Sequence, residues 1–393
     1  MLSDMFRWCF LLLFLVTLAL SFPLQAQQVA FVPSAQQEHL LAAMQQYQKI
    51  VESQEWVSFP GDVCVKPGTV DKLVPRLRKM LCLTQDLAQC SAADSSLFDE
   101  PLTAAVKRFQ KRHGLAPDGV VGCQTLTAMN VSPAQRLRQI QLNLARWQDT
   151  TYMQPAGTPL VVVNIPDFLL QVINQHGQTV WSTPVIVGQP QKMYQTVPLH
   201  SKISYLVVRP TWNLPKSIIQ REIIPAIRRD ATYLAKNNMR LYTEVKGHLV
   251  PIGVKQVNWK TVDGRKLTII QSPGPKNALG QLKFIFANPH DIYLHDTPVR
   301  SLFKHPVRTY SHGCVRVQNP EKLASFLLSP DWNKPRPFSL AHDTRVNENV
   351  FLPKPVSIQI RYFTCWVDGQ GILQFREDVY GLDQSVLDLA TLE

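Results

Sequence analysis

The residues best placed to do chemistry are Ser311-His312-Gly313-Cys314-Val315-Arg316, with Tyr293-Leu294-His295-Asp296-Thr297-Pro298 upstream. They put one cysteine close in sequence to groups that activate a thiol, and they supply two histidines. A thiol is a competent acyl-transfer nucleophile only as thiolate, which requires a neighbouring base or positive charge. Gly313 allows close approach of the backbone to an incoming carbonyl, and the amides around Cys314 are candidate oxyanion donors. The competing reading is a buried structural cysteine beside a zinc-like histidine. Zinc wants three or four ligands at regular spacing, and no second cysteine or acidic cluster accompanies this run. The pattern therefore points to nucleophilic catalysis without a metal or organic cofactor.

Individual roles follow from strand geometry and side-chain type. A base must reach the thiol in space, and His295 can do so if two neighbouring strands carry the two residues. On an extended segment alternate side chains share a face, so His312 lies on the same side as Cys314; hydrogen bonding that holds the loop is its expected task. Ser311 reads as a structural hydroxyl. The Arg316 guanidinium suits a substrate carboxylate or a local acid. Tyr293 belongs either to the oxyanion region or to the core. Asp296 invites a Cys-His-Asp triad, but adjacent strand residues point apart, which argues against it.

Those residues need a scaffold. The chain has 393 residues, 45% hydrophobic and 18% charged, enough for two or three domains with ordinary globular cores. A net charge of +12 is spread without a long basic block, which fits an anionic surface such as a cell wall and gives no nucleic-acid motif. Residues 8–20 are an apolar run after Arg7 and before Leu24-Gln25-Ala26. The run is short for a membrane span and reads as a signal peptide over residues 1–26, with an uncleaved anchor as the alternative. Beyond Cys9 the cysteines are Cys64, Cys82, Cys90, Cys123, Cys314 and Cys365. With Cys314 reserved as a free thiol, the cluster from 64 to 123 has three possible pairings; Cys82 with Cys90 and Cys64 with Cys123 is preferred, leaving Cys365 buried and unpaired.

Helical periodicity marks residues 34–57, ended by Pro60-Gly61, and then two amphipathic faces, Leu73/Leu77/Met80/Leu81 and Leu102/Ala105/Val106/Phe109. The second stops at His113-Gly114, and a short helix over 125–130 follows the turn Pro117-Asp118-Gly119. A connecting helix spans 133–148, with Leu137, Ile140, Leu144 and Trp147 on one side. From Pro159 the texture changes to strands: 160–165, 168–173, 183–187, 203–208, 267–271, 283–287 and 291–295. Residues 211–245 interrupt them with a helical pattern built on Ile218, Ile219, Ile223, Ile224 and Ile227, an insertion that could cover the site.

Leu102-Thr103-Ala104-Ala105-Val106-Lys107-Arg108-Phe109-Gln110, His113-Gly114-Leu115 and Asp118-Gly119-Val120-Val121-Gly122 resemble the small three-helix peptidoglycan-binding domain. Tyr293-Leu294-His295 with Ser311-His312-Gly313-Cys314-Val315-Arg316 resembles the L,D-transpeptidase family with a YkuD-type catalytic domain. Asn164-Ile165-Pro166, Ile186-Val187-Gly188, Pro210-Thr211-Trp212-Asn213-Leu214-Pro215, Asn277-Ala278-Leu279-Gly280 and Asp378-Val379-Tyr380-Gly381 extend the match. The layout is similar to the periplasmic Gram-negative branch whose catalytic domain carries a capping insertion.

The resemblance implies a multidomain α+β chain: signal peptide 1–26, helical segment 27–60, peptidoglycan-binding domain 61–132, connecting helix 133–157, mostly β catalytic domain 158–385 with a helical cap at about 211–265, and tail 386–393. It implies that Cys314 attacks a stem-peptide carbonyl, that His295 is the base, and that Gly313, Tyr293, Ser311, His312 and Arg316 support substrate or oxyanion. The implied partners are a tetrapeptide donor and an amine acceptor on peptidoglycan, with carbapenem β-lactams as inhibitors. Two alternatives are a secreted cysteine hydrolase that trims stems and a non-catalytic wall-binding protein.

Overall fold

The computed structural model describes residues 35–61, 63–90, 95–149 and 157–384. The segment read from the sequence as a signal peptide and the C-terminal tail lie outside the described residues. The chain divides into units 1–35 and 36–393, and the second contains everything that follows. No helix among the described residues is long and apolar enough to cross a membrane.

The first part is helical. Helix α1 (Ala35–Ser53) buries Leu40, Ala43, Tyr47 and Ile50; α2 (Val74–Leu83), α3 (Glu100–Arg112) and α4 (Cys123–Met129) enclose Leu77, Met80, Leu81, Leu102, Val106, Phe109 and Leu126. Helix α3 starts where Asp99 Oδ1 accepts from the Leu102 amide (3.0 Å), and it ends at Gly114 with φ +70°. The turn at 117–119 has a physical cause. Buried Gln110 donates to Asp118 Oδ1 (2.8 Å) and the Val120 carbonyl (2.9 Å) and accepts from the Gly119 amide (2.8 Å). A buried amide satisfied on both ends fixes the turn in one geometry. Helix α5 (Pro133–Gln148) carries a Ser132/Gln135 capping box and has the bounds its periodicity predicts.

The cysteine pairing differs from the expectation. Cys82–Cys90 is a disulfide, while Cys64 and Cys123 are free and exposed. Val65 and Val121 exchange both backbone hydrogen bonds (3.1 and 3.0 Å). That register sets Cys64 opposite Gly122, and Cys123 opens α4, so the two thiols are offset.

The second part is a closed barrel. Its strands are β1 (Leu160–Asn164), β2 (Leu169–Ile173), β3 (Thr179–Gly188), β4 (Leu199–Val208), β9 (Leu282–Phe286), β10 (Leu294–His295), β12 (Val315–Val317) and β13 (Glu348–Arg361); β11 (Thr309–Ser311) adds to β3. The order β3-β12-β10-β9-β4-β13-β1-β2 closes because β2 also pairs with β3. Strict alternation points Val161, Val163, Leu170, Leu206, Phe284, Leu294, Val315, Val317, Ile358 and Ile360 inward, all fully buried, with α9 (Pro320–Leu327) packed on the same core. Each such side chain contributes about 1.5–3 kcal/mol on burial, so the barrel is the rigid element. The bulge in β13 between Phe351 and Val356 falls at Pro353 and Pro355, which have no N–H for the ladder. Of the strand expected over 291–295 only β10 forms, because Asp291 sits at φ +53°.

The insertion is helical only in part. A run of α6 (Lys216–Ile218), a π-helical turn (Ile219–Ile223) and α7 (Ile224–Arg229) is followed by α8 (Tyr233–Lys236). Isoleucines spaced five apart, Ile218/Ile223 and Ile219/Ile224, suit the i→i+5 pattern of that turn. The rest is a four-stranded sheet: β5 (Trp212–Asn213), β8 (Leu267–Gln271), β6 (Met239–Val245) and β7 (His248–Pro251). The tight Lys246-Gly247 turn, both at positive φ, makes β6 and β7 a hairpin. The helices and the sheet share a hydrophobic core of their own.

The hairpin β14 (Cys365–Val367) and β15 (Leu373–Phe375) joins the two parts. Cys365, Val367 and Phe375 share a core with Leu40, Tyr47 and Ile140. His113 stacks on Phe109 (3.9 Å) and on Phe375 (5.3 Å), with Arg112 and Arg136 over the Phe375 ring. Burial, Arg112 and Arg136 hold His113 well below the ordinary imidazole range, so it is neutral in this stack. Buried Arg112 is paired bidentately with Asp86 (2.8 and 2.6 Å), and removing one partner of such a pair costs about 3–5 kcal/mol.

Exposure predicts the thiol chemistry. Alkylation of the native protein without reductant should label Cys64 and Cys123 rapidly and Cys314 more slowly; Cys365, fully buried with its thiol pushed up by burial, should label only after denaturation, and Cys82 and Cys90 only after reduction as well. Peptide mapping by mass reads the order, and rapid labelling of Cys365 in the folded protein would contradict it.

Candidate active site

The position of Cys314 follows from register. Strands β10 and β12 run parallel with Leu294 opposite Val315 and His295 opposite Arg316. Leu294 and Val315 face the barrel core, so Tyr293, His295, Cys314 and Arg316 line the opposite face together. That face floors a cleft of about 1410 Å³ whose far wall comes from the insertion, including Trp212, Leu214, Ile218 and Glu222.

The Ser311–Cys314 turn is held from several directions. Ser311 Oγ donates to the Cys314 carbonyl and accepts from the Gly313 amide (3.1 Å). The Gly313 N–H is thereby engaged, and Gly313 serves conformation instead: its φ is +115°, and a Cβ there would be strained. Thr196 Oγ1 donates to the Gly313 carbonyl (2.8 Å) and accepts from the Gly188 amide (2.8 Å). The Tyr380 hydroxyl donates to the Gly188 carbonyl (2.7 Å), tying in the Asp378–Gly381 segment.

His312 shares the face of Cys314 but turns to the insertion. Its Nε2 meets Glu222 Oε1 (2.5 Å), and its ring stands edge-on to Tyr194 (centroids 4.7 Å apart). It holds the loop against the cap. Asp296 does not face the imidazole with its carboxylate. That group accepts from the Gln281 amide (2.8 Å) and pairs with Arg300, wedged under Gly280, where a Cβ would lie 2.4 Å from its Cγ. Its main-chain carbonyl meets His295 Nδ1 (2.5 Å). A carbonyl only accepts, so the proton sits on Nδ1 and Nε2 keeps its lone pair.

Electrostatics set the resting state. The Cys314 thiol donates to the Asp291 carbonyl (3.6 Å) and lies under the Tyr293 phenol. Burial raises its pKa, opposed by the Tyr293 amide and hydroxyl, Lys283 and Arg316. Burial and then Arg316 push His295 down to about 3, with Lys283 acting in the same sense. The Tyr293 hydroxyl is held well above its ordinary range by burial and by Cys314, and Trp212 hydrogen-bonds to it. At neutral pH the site is a neutral thiol, a neutral imidazole and two cations. Both cations are half-buried; Lys283 Nζ lies 3.9 Å from the Tyr293 ring centroid, and the buried Nε of Arg316 has no hydrogen-bond partner among the described residues.

Tyr293, His295, Ser311, His312, Gly313, Cys314 and Arg316 line this cleft, and Asp296 does not. Lys283, Thr196 and Glu222 were not anticipated. Lys283 had a signal, as a cation between Leu282 and Phe284 in an apolar strand, whereas Thr196 and Glu222 act through contacts no local pattern encodes.

The site is thus a cysteine and a carbonyl-oriented histidine on the outer face of a closed barrel, under a separate cap. Residues 158–348 match the YkuD family, the L,D-transpeptidase catalytic domain, and residues 78–129 match the family described as "Putative peptidoglycan binding domain". A Haemophilus influenzae protein described as "Putative L,D-transpeptidase" is 31% identical over 228 residues, 58% of this chain and 45% of that relative, so the match spans less than half of the relative's length. Among solved structures, this chain is similar to the L,D-transpeptidase (residues 123–326) of Xylanimonas cellulosilytica (15% identity, 77% of this chain and 100% of that one, TM-score 0.23). It is similar also to the L,D-transpeptidase of Stackebrandtia nassauensis (15%, 76% and 94%, TM-score 0.28). The chain thus contains a YkuD-type L,D-transpeptidase catalytic domain with a peptidoglycan-binding domain ahead of it.

The raised thiol pKa has a measurable consequence. Because less thiolate is present at neutral pH than for a free cysteine, iodoacetamide should alkylate Cys314 more slowly than N-acetylcysteine at pH 7, and its rate should keep climbing above the pH where that small thiol levels off. A Cys314 rate that plateaus at a lower pH than the small thiol would contradict this balance.

Proposed function

We propose that this protein is an exported peptidoglycan L,D-transpeptidase that works through a thioester on Cys314. The observation that carries the reading is the parallel register placing Cys314 and His295 on one face of the cleft, with the His295 proton fixed on Nδ1. His295 Nε2 takes the thiol proton as sulfur attacks the carbonyl of the donor stem's third residue. The S–C bond forms, the C–N bond to the terminal D-alanine breaks, and the proton passes from His295 to the departing amine. An acceptor amine then attacks the thioester, giving up its proton through His295 and restoring the thiol. Tyr293 stabilises the sulfur anion through its hydroxyl and amide, and Arg316 and Lys283 add positive charge. The cap, latched by Glu222 to His312, limits water at the thioester and so favours an amine acceptor.

Incubation with tetrapeptide-bearing wall fragments should yield joined stems by mass, whereas trimmed stems alone would make the protein a hydrolase. Cys314→Ala should abolish acylation, and His295→Ala should slow it about 10²–10⁴-fold, the range for loss of a positioned base. Near-native acylation in either variant would sink the assignment. A carbapenem should leave a mass adduct on Cys314 of the wild-type protein and none on Cys314→Ala.

A further inference from the structure

His295 stands in a lateral row. On one side β9 pairs with β10 so that Lys283 is opposite His295; on the other, β12 places Arg316 opposite His295. Neighbouring strands are about 4.8 Å apart, so the imidazole lies between two cations of the same sheet face. Neither cation has an ion pair with a carboxylate among the described residues, although both are half-buried. Each is within electrostatic reach of Cys314 and lines the same cleft. The Arg316 fork keeps a buried Nε with no partner. A desolvated guanidinium without an anion is an incomplete arrangement, and a planar carboxylate completes it bidentately.

We propose that Lys283 and Arg316 form an anion subsite that receives the terminal carboxylate of the donor peptide, and that filling it turns His295 into the working base. This rests on the acyl-transfer reading above. The carboxylate of the leaving residue is one carbon from the scissile nitrogen, so a donor seated with its carbonyl over Cys314 delivers that charge beside the row. The groups facing His295 are Lys283 from β9, Arg316 and Cys314 from the β12 side, and Tyr293 on β10. The Asp296 carboxylate is committed to Gln281 and Arg300, and Glu222 of the cap to His312. Asp291 of the same cleft acts on Lys283, no carboxylate acts on Arg316, and burial followed by Arg316 makes the resting imidazole hard to protonate. A bound carboxylate cancels that repulsion, so the proton released by Cys314 can be held on Nε2 while sulfur attacks. Lys283 and Arg316 are then positioning residues, and the substrate's own charge licenses the proton transfer.

The test compares three donors on the full-length protein by the rate of thioester formation: the tetrapeptide acid, its C-terminal amide, and the peptide amidated on the third residue's side-chain carboxylate. The C-terminal amide should acylate at least about tenfold more slowly than the acid, the loss expected for one charge-assisted contact. The third-residue amide should be close to the acid. Lys283→Met and Arg316→Lys should each shrink the acid-to-amide ratio. In Cys314→Ser protein, where the donor binds without turnover, the NMR titration midpoint of His295 should rise when the acid peptide is added and not with the C-terminal amide. Equal rates for acid and C-terminal amide, or a midpoint indifferent to the acid, would overturn the subsite alone. Loss with the third-residue amide instead would overturn its assignment to the leaving residue. Failure of all three donors would overturn the acyl-transfer reading and the subsite with it.

Discussion

Two short strands, β10 and β12, lie side by side and parallel within the barrel, and the site depends on that pairing. Leu294 and Val315 anchor it by pointing inward into a core with no solvent access. A slip of one residue would send Cys314 into the apolar interior and bring Val315 to the cleft. The hydrophobic core therefore specifies the chemistry, since the inward residues admit one register and that register fixes which four side chains meet outside. The surrounding hydrogen bonds from Ser311, Thr196 and Tyr380 shape the turn after this choice has been made.

The same arrangement settles the division of labour between the two histidines and the aspartate. All three belong to the two segments that carry the site, yet each serves a different neighbour. His295 is oriented by a carbonyl, Asp296 braces the Gly280 turn from below, and His312 reaches across to the cap. A main-chain carbonyl orients the imidazole without adding a negative charge. An ionised carboxylate in that place would make the imidazole far more basic in the resting state, where burial and the two flanking cations now keep it neutral.

Much of this was legible in the sequence where causes are local. The capping box at Ser132, the glycine after α3 and the alternation of the barrel strands all act within a few residues, and the helix and most strands appear where their patterns place them. The cysteine-centred motif was legible for the same reason. The second half of the insertion was not, because the five isoleucines dominate the pattern while Met239–Pro251 becomes a hairpin only through pairing with Leu267–Gln271. The pairing of Cys64 with Cys123 failed because an antiparallel bridge two residues away decides the offset. Lys283 stood out only as a cation in an apolar strand, and its placement beside His295 depends on the pairing of β9 with β10.

The hairpin of β14 and β15 bears on how the chain reaches this state. Tyr47 in the first helix and Ile140 in the connecting helix complete their packing only against Cys365, Val367 and Phe375, more than two hundred residues later than Ile140. The helical half consequently has an unfinished apolar surface until nearly the whole chain is available. Contacts of such sequence separation are slow to form, since the loop entropy must be met before they yield any gain. During emergence of the chain, the thiol of Cys365 and the Phe375 site that receives the His113 ring are the last parts to be sequestered. Maturation of the N-terminal half is thus gated by arrival of the C-terminal one, and a chain shortened before residue 375 would lack the core that joins its halves.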